Sequence, residues 1–462
     1  MPEAAKKNPA AVPLDGHAKA LEEGRSLRQS VSRRSLAGWE VPSRRVDPVE
    51  VLVATGRNRL QDLLPLRYGR MSQSPFAYMR GAAAMMAADV ASTPLTGIPV
   101  QACGDCHLSN FGAFASPERR VLFDITDFDE TLPASWEFDI KRLAVSFVLL
   151  SREHGDDRAT ARDITRTMLR AYRTRLDEFA RMSPLETWYA LIDSEILIRT
   201  APDEATRRRR EKFEAKARAR TGESLVGRLV EEKNGTVRFL EQPPVISRLE
   251  PGSALDTSFR TALARYPLTV AEDRRTLLSR YRLADVAFKA VGVGSVGTRC
   301  AVALYVSKLG HLLVLQIKEA CPSVLEPFSE KSLYPHQGQR VVVGQRLMQC
   351  ASDIFLGWAS DDDGHEYYVR QLRDMKTSVP LETLRGQVLH NFADMCGWAL
   401  ARAHAKAGDA ARLSGYVGQS ERLDEAITKF ACAYADQCEK DYELFKRAIR
   451  GGKIPAKVEA AG

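Results

Sequence analysis

The hydrophobic period changes along this chain, and that change limits the folds open to it. Apart from a short strand region near Ile98 to Glu130, apolar residues recur at helical spacing in the first half, as in Phe76 to Val90 and Trp136 to Ser151. Residues 155 to 250 also read as mainly helical and highly charged. From Asp285 the apolar residues alternate instead. Val286 to Val291, Thr298 to Val306, Leu312 to Ile317, Ile354 to Ala359 and Glu366 to Leu372 read as strands, with Cys300, Val302, Leu304 and Val306 on one face. Gln339 to Ala351 is a helix within this stretch, and from Leu381 helical spacing returns. Short strands joined by turns form an antiparallel sheet. The pattern predicts an α+β protein with a small antiparallel-sheet lobe and a large helical lobe.

Five segments follow from this pattern: a flexible basic arm over 1–45, a first part of the helical lobe over 46–150, a charged helical region over 151–284, a sheet lobe over 285–376 and a C-terminal helical part over 377–462. The chain has 462 residues, 44% hydrophobic and 27% charged, which excludes disorder throughout and allows a sizeable core. No uncharged apolar run approaches the roughly 18 residues that cross a bilayer. The N-terminus has no apolar core resembling a secretory signal, so a cytoplasmic location is expected. Lys and Arg exceed Asp and Glu by 67 to 59, a modest excess compatible with phosphorylated partners. The densest basic run, Arg207 to Arg220, has few interleaved aromatics. It reads as a solvated helix face, and nucleic acid is not an expected partner.

Two constellations carry chemistry. In Gly104-Asp105-Cys106-His107-Leu108-Ser109-Asn110 an acid and an amide lie five residues apart on a loop after a strand. Kinase catalytic loops use that arrangement, the Asp orienting a hydroxyl and the Asn holding magnesium. Asp127 follows at the end of the next strand and supplies a second metal-binding carboxylate, and one Asn with one Asp suits Mg2+. The bland alternative is a capped turn at Asp105, His107 and Asn110, and a surface acidic cluster of Asp124, Asp127, Asp129 and Glu130. The second constellation is Gly292-Val293-Gly294-Ser295-Val296-Gly297, followed by a strand rather than the helix of a dinucleotide fold. Gly292, Gly294, Ser295 and Gly297 therefore suit a hairpin turn that closes over phosphates, and the next strand delivers Lys318 to pair with them. Here the alternative is an ordinary glycine turn with a snorkelling lysine.

Cys103-Gly104-Asp105-Cys106-His107 also spells C-x-x-C-H, the c-type haem attachment pattern. A zinc site built on Cys103 and Cys106 needs two further ligands, and Cys432 and Cys438 are a poor second pair. The eight cysteines are scattered, and most are expected to be buried thiols.

The runs RYGRMSQSPFAYMRGAAAMMAADV, GDCHLSNFG, FDITDFDE, WEFDIKRLA, VGVGSVGTRC, LQIKEA, GQRLMQCASDIFLGW and YYVRQLRDMK resemble the bacterial family known as domain of unknown function 2252, from about Gly38 onward. That family is grouped with the protein-kinase-like superfamily. The GDCHLSN loop is similar to the aminoglycoside-phosphotransferase form H-G-D-x-H-x-x-N, with Cys103 in place of the first His. The resemblance implies a two-lobed kinase-like fold whose cofactors are ATP and Mg2+. Asp105 would act on an acceptor hydroxyl, with His107 orienting Asp105 or touching the acceptor. Asn110 and Asp127 would hold the metal, Asp139 would play a structural role, and the backbone near Gln371 would contact adenine. Leu400 to His404 resembles the helix that leads into a kinase catalytic loop.

The Gly-rich hairpin and lysine follow the catalytic loop here instead of preceding it, which implies circular permutation. Helix Gln339 to Ala351 contains no Glu to pair with Lys318, leaving Glu326 or Glu330. The expected function is phosphotransfer from ATP to a small-molecule hydroxyl. AMP transfer from the same site, and a pseudokinase-type module that binds nucleotide without transfer, stand as alternatives.

Overall fold

The computed structural model describes residues 16–457 apart from 202, 221–226, 228, 234, 291, 373 and 374. The architecture is mixed α+β with antiparallel sheets. Thirteen strands are present among the described residues: β1 Pro99–Ala102, β2 Phe111–Ala115, β3 Val121–Ile125, β4 Leu132–Ser135, β5 Val230–Lys233, β6 Thr236–Phe239, β7 Ile246–Arg248, β8 Tyr281–Lys289, β9 Cys300–Ser307, β10 Leu312–Glu319, β11 Gly357–Ser360, β12 Glu366–Gln371 and β13 Thr377–Ser378.

The helical body is built on Glu137–Glu153, buried along most of its length. Arg158–Ala180 and Arg422–Arg450 pack on it, and Gln387–Ala407 runs along Arg158–Ala180. The reading of Phe76 to Val90 as one helix is corrected. The chain forms Pro75–Gly81 and Ala83–Ala91, broken at Ala82 with φ −107° and ψ 36°. The cause is local: Arg142 takes the Met79 carbonyl at 3.0 Å and Arg67 takes the Gly81 carbonyl at 2.7 Å. Those carbonyls would otherwise serve the next helical turn.

The principal sheet has six strands in the order β11-β12-β10-β9-β8-β7. Its alternation puts Ala301, Ala303, Tyr305, Leu315 and Ile317 on a face covered by helix Ala254–Arg265. Val302, Leu304 and Val314 face the β5–β6 hairpin side with Phe239 and Ile246. The sheet therefore recruits chain well before Asp285. The expected helices of 155–250 are Arg158–Ala180, Pro184–Tyr189, Ser194–Arg199 and Glu204–Arg218; beyond them the helical expectation is amended, because β5, β6 and β7 cover or extend the sheet. A smaller sheet, β13-β2-β3, joins the two halves of the molecule. β13, just beyond β12, pairs Thr377 with Ala113 and Ser378 with Gly112.

Residues 1–15 of the expected flexible arm lie outside the described residues. From Gly16 onward the arm is docked: helix Gly16–Ser30 packs on Ala410–Val417. Arg28 and Arg33 donate to the carbonyls of Tyr416 and Val417 at the end of that helix, where carbonyls lack helical partners. Arg45 donates to Asp89 at 2.9 Å and to Asp441 at 2.9 Å, with only 7% of its side chain exposed. The basic run at 207–220 lies on the largely exposed helix Glu204–Arg218, where Arg207 and Arg208 both pair with Glu204. Among the described residues no helix is long and apolar enough to cross a membrane.

Arg45→Ala leaves two buried carboxylates without their cation, and such losses cost about 3–5 kcal/mol. The expected outcome is a matching drop in urea-unfolding stability and faster proteolysis before residue 45. Unchanged unfolding would show that the N-terminal segment contributes nothing to the fold.

Candidate active site

The loop between β1 and β2 is held from beneath. Asp139, in the first turn of Glu137–Glu153, accepts from the Cys103 amide at 2.6 Å and the Gly104 amide at 2.9 Å. His404 Nε2 lies 3.2 Å from the same carboxylate, and its Nδ1 meets the Tyr172 hydroxyl at 2.9 Å. The LARAH segment thus reaches the loop from helix Gln387–Ala407. Gly104 has φ +83°, and a Cβ there would stand 2.3 Å from the Glu130 carbonyl oxygen, so the position admits only glycine.

Above this base, Asp105 Oδ1 receives Arg142 Nε at 2.6 Å and Nη2 at 2.5 Å. Oδ2 faces His107 Nε2 at 3.7 Å and the Gly-rich segment. Burial works to raise the Asp105 pKa, but Arg142 and the other neighbouring cations prevail and hold the carboxyl below its usual range. Burial pushes the His107 imidazole down to about 3, against the opposing pull of Asp105, so His107 is neutral at pH 7. The Asn110 side-chain NH2 donates to the Asp105 carbonyl at 2.8 Å, which leaves its Oδ1 as the group available to a ligand. The Thr126 amide donates to the Asn110 carbonyl at 2.7 Å and so sets Asp127 beside Asn110. Asp127 Oδ1 is buried without a hydrogen-bond partner. An unsatisfied carboxylate oxygen beside an uncommitted amide oxygen is the donor set a hard cation takes.

Lys318 enters from the middle of β10. Its Nζ lies 2.6 Å from Asp129 Oδ2 and 3.9 Å from Asp127 Oδ1. Asp129 also accepts from Ser295 at 3.0 Å and from the Tyr368 hydroxyl at 2.5 Å. Burial lowers the Lys318 pKa, but Asp127 and Asp129 more than compensate, so it stays charged. The acidic partner expected from Glu326 or Glu330 is instead Asp129, two residues beyond Asp127 where the chain turns after β3, and both carboxylates face Lys318. Glu326 sits on a short 3-10 turn, 3.5 Å from the Gln337 amide.

The Gly-rich segment joins β8 to β9 and is held closed. Arg67 donates to the Gly294 carbonyl and Arg59 to the Val296 carbonyl, each at 2.7 Å, and the Leu60 amide meets the Gly297 carbonyl at 2.7 Å. A Cβ on Gly294 would lie 3.8 Å from Asp105 Oδ2. Asp105, His107, Asn110, Asp127, Gly292, Gly294, Ser295, Lys318 and Gln371 all line one cleft of about 980 Å³. Gly297 is buried behind it at φ +90°, against Arg59.

Two expectations change. The surface acidic cluster does not form: Asp124 is fully buried against Arg402 at 2.7 Å, while Asp127, Asp129 and Glu130 line the cleft. The Gln371 amide, expected to face adenine, donates to Asp353, and the Leu372 amide donates to the Val314 carbonyl at 3.0 Å. Sequence reasoning missed Asp129, Arg142, Tyr368, Arg80, Arg370 and Lys376 as cleft-shaping residues. Cys103 and Cys106 are buried free thiols, and Cys103 packs 3.3 Å from the Asp127 carbonyl. Among the described residues the one grouping of possible metal ligands by His, Cys, Asp and Glu is Asp361, Asp363 and His365 on the β11–β12 turn, so neither the haem nor the zinc reading gains a ligand.

These features define a mixed α+β protein whose central sheet and catalytic-type loop share one charged cleft. Residues 59–448 match the family described as an uncharacterized protein conserved in bacteria (DUF2252), and the chain belongs to that family. No curated protein and no solved structure matches it.

Lys318→Met leaves Asp129 half-buried without its cation but with Ser295 and Tyr368 still donating to it, and the expected loss is about 1–3 kcal/mol in urea unfolding. Adding Asp129→Asn should recover part of that loss, and no recovery would refute the pairing. His107 has a folded pKa below its unfolded value of 6.5, so the unfolded chain binds the proton first as pH falls. The contribution is complete above about pH 6.5 and drains away toward pH 3. Denaturation midpoints from pH 7 to 4 should fall more steeply for the wild type than for His107→Gln, and parallel slopes would contradict the buried neutral imidazole.

Proposed function

We propose that this protein is an ATP- and magnesium-dependent phosphotransferase with a circularly permuted, protein-kinase-like fold, acting on the hydroxyl of a small molecule. The observation that carries the reading is the Lys318–Asp129 contact, between residues 189 apart in sequence. It brings the glycine segment, the lysine, Asp127, Asn110 and Asp105 to one cleft, and these are the kinds of group that phosphoryl transfer uses together. The chain order that reverses these parts leaves their neighbourhood intact, because neighbours in space need not be neighbours in sequence.

In this reading Asn110 Oδ1 and Asp127 Oδ1 hold Mg2+, which supplies charge neutralisation at the nucleotide phosphates. Lys318 adds a fixed positive charge to the same oxygens, and the glycine segment at Gly292 and Gly294 lies over them. Asp105, with Oδ1 committed to Arg142, offers Oδ2 to the acceptor hydroxyl. The acceptor oxygen forms a bond to the γ-phosphorus as the bond to the bridging oxygen breaks. The electron pair of that bond leaves with ADP, and the hydroxyl proton passes to Asp105. Catalysis is then mostly positioning and electrostatics.

A second reading, AMP transfer, draws on a specific observation. The N–H groups of Gln371 and Leu372 are already used, and two cations stand close by. Arg370 contacts Gln316 Oε1 at 3.2 Å, and Lys376 donates to the Thr126 carbonyl at 3.0 Å. A site with cations where adenine would lie favours phosphates there, and so a reversed nucleotide that presents its α-phosphorus to Asp105. The binding-only alternative loses its main support, since Asp129 fills the role of the missing acid.

Labelled ATP separates the readings: transfer of γ-label means phosphotransfer and transfer of α-label means nucleotidylation. Asp127→Asn is expected to weaken magnesium-dependent ATP binding at least tenfold by calorimetry. Asp105→Ala should bind ATP as the wild type does while transfer falls about 10²–10⁴-fold. Full transfer by either variant would overturn these assignments.

A further inference from the structure

We propose that Arg80 is a further catalytic residue of this site, its guanidinium contacting the phosphoryl group in transit between ATP and acceptor; the inference rests on the phosphotransferase reading above. Arg80 is fixed from both sides. Its chain neighbours Met79 and Gly81 have their carbonyls held by Arg142 and Arg67, at the break between two helices. From there the side chain enters the cleft beneath the glycine segment. A Cβ on Gly292 would lie 3.9 Å from Arg80 Nη2, and one on Gly294 would lie 3.7 Å from the Arg80 carbonyl and 3.8 Å from Asp105 Oδ2. Arg80, Asp105 and the phosphate-covering segment therefore meet around one small volume.

The structure does not use this cation for support. Asp105 already has Arg142 on Oδ1 through two nitrogens. Among the described residues Arg80 makes no hydrogen bond or ion pair, and its Nε is buried without a partner. Its charge is felt mainly by Asp105 and Asp127, the two carboxylates between which a transferring phosphoryl group would sit. Only Nε is fully enclosed; the rest of the side chain is partly exposed on the cleft wall, where a guanidinium without a protein partner is available to an anion that enters. The planar guanidinium fork matches phosphoryl oxygens in a way an ammonium does not. In phosphoryl transfer the charge spreads over the equatorial oxygens, and an arginine there acts more on the transition state than on bound ATP.

The test uses the full chain, Mg2+, and two nucleotide probes: a non-hydrolysable ATP analogue, and ADP with aluminium fluoride as a mimic of the group in flight. Arg80→Met and Arg80→Lys are compared with the wild type. The expected result is analogue affinity within about threefold of wild type for both variants. The extra thermal stabilisation from aluminium fluoride should be lost in Arg80→Met and partly kept in Arg80→Lys. Release of γ-label to water should fall about 100-fold or more in Arg80→Met. Wild-type aluminium fluoride stabilisation in Arg80→Met overturns the proposal. So does an equal loss of analogue and fluoride binding, which marks a ground-state contact only. If the wild type itself neither releases γ-label nor responds to aluminium fluoride, the phosphotransferase reading fails, and the role of Arg80 falls with it.

Discussion

A single buried ion pair organises this molecule. Lys318 leaves the centre of the six-stranded sheet and meets Asp129 at 2.6 Å with 3% of its side chain exposed. The Lys318 charge is costly without a partner at that depth, and Asp129 supplies it by bringing the segment after β3 against the sheet. Asp129 then spends its remaining capacity on Ser295 and Tyr368, which fixes the glycine segment and β12 around the same point. The cleft is what is left between these parts. Its shape follows from satisfying one carboxylate with three donors from three distant stretches of chain.

Arginine does much of the rest. Arg67, Arg59, Arg142 and Arg340 each reach backbone carbonyls at the cleft wall, and Arg340 alone bonds the carbonyls of Asp129, Thr131 and Cys321. A rigid five-donor fork can bind several carbonyls where lysine offers one mobile point. The cost is buried positive charge: burial drops the Arg67 pKa to about 9, and Lys376 is lowered to about 7 by burial and by Arg370. The base of the catalytic-type loop shows the same economy. The Cys103 amide donates to Asp139, and His404 from a different helix supports the same carboxylate beneath the loop.

Much of this was legible in the sequence. Alternation of Val302 and Leu304 against Ala301, Ala303 and Tyr305 carried the sheet; the limits of β9, β10 and β12 fell within two residues of those observed, while β8 begins five residues earlier than expected and β11 three later. The spacing of Asp105, Asn110 and Asp127 was readable because short loops leave few ways to arrange them. What escaped has physical causes. β7 joins the sheet through only three residues, too few for a period to register. Ala82 breaks a helix although alanine favours one, because two arginines from elsewhere take the carbonyls. Arg142 and Arg80 lie on helical patterns whose period does not tell what a charged residue meets, and only the packed structure brings them to Asp105 and the cleft. Asp129 was in view but read as one acid among several, and it is the turn after β3 that brings it to Lys318 beside Asp127.

The central claim is that magnesium and nucleotide phosphates bind where Asn110, Asp127 and Lys318 converge. An experimental structure of the full chain with a non-hydrolysable ATP analogue and Mg2+ tests it most directly. The account predicts metal density touching Asn110 Oδ1 and Asp127 Oδ1, with phosphate oxygens within hydrogen-bond reach of Lys318 Nζ. An analogue bound elsewhere, or a cleft still holding the closed Lys318–Asp129 pair and no nucleotide at saturating concentration, would contradict it.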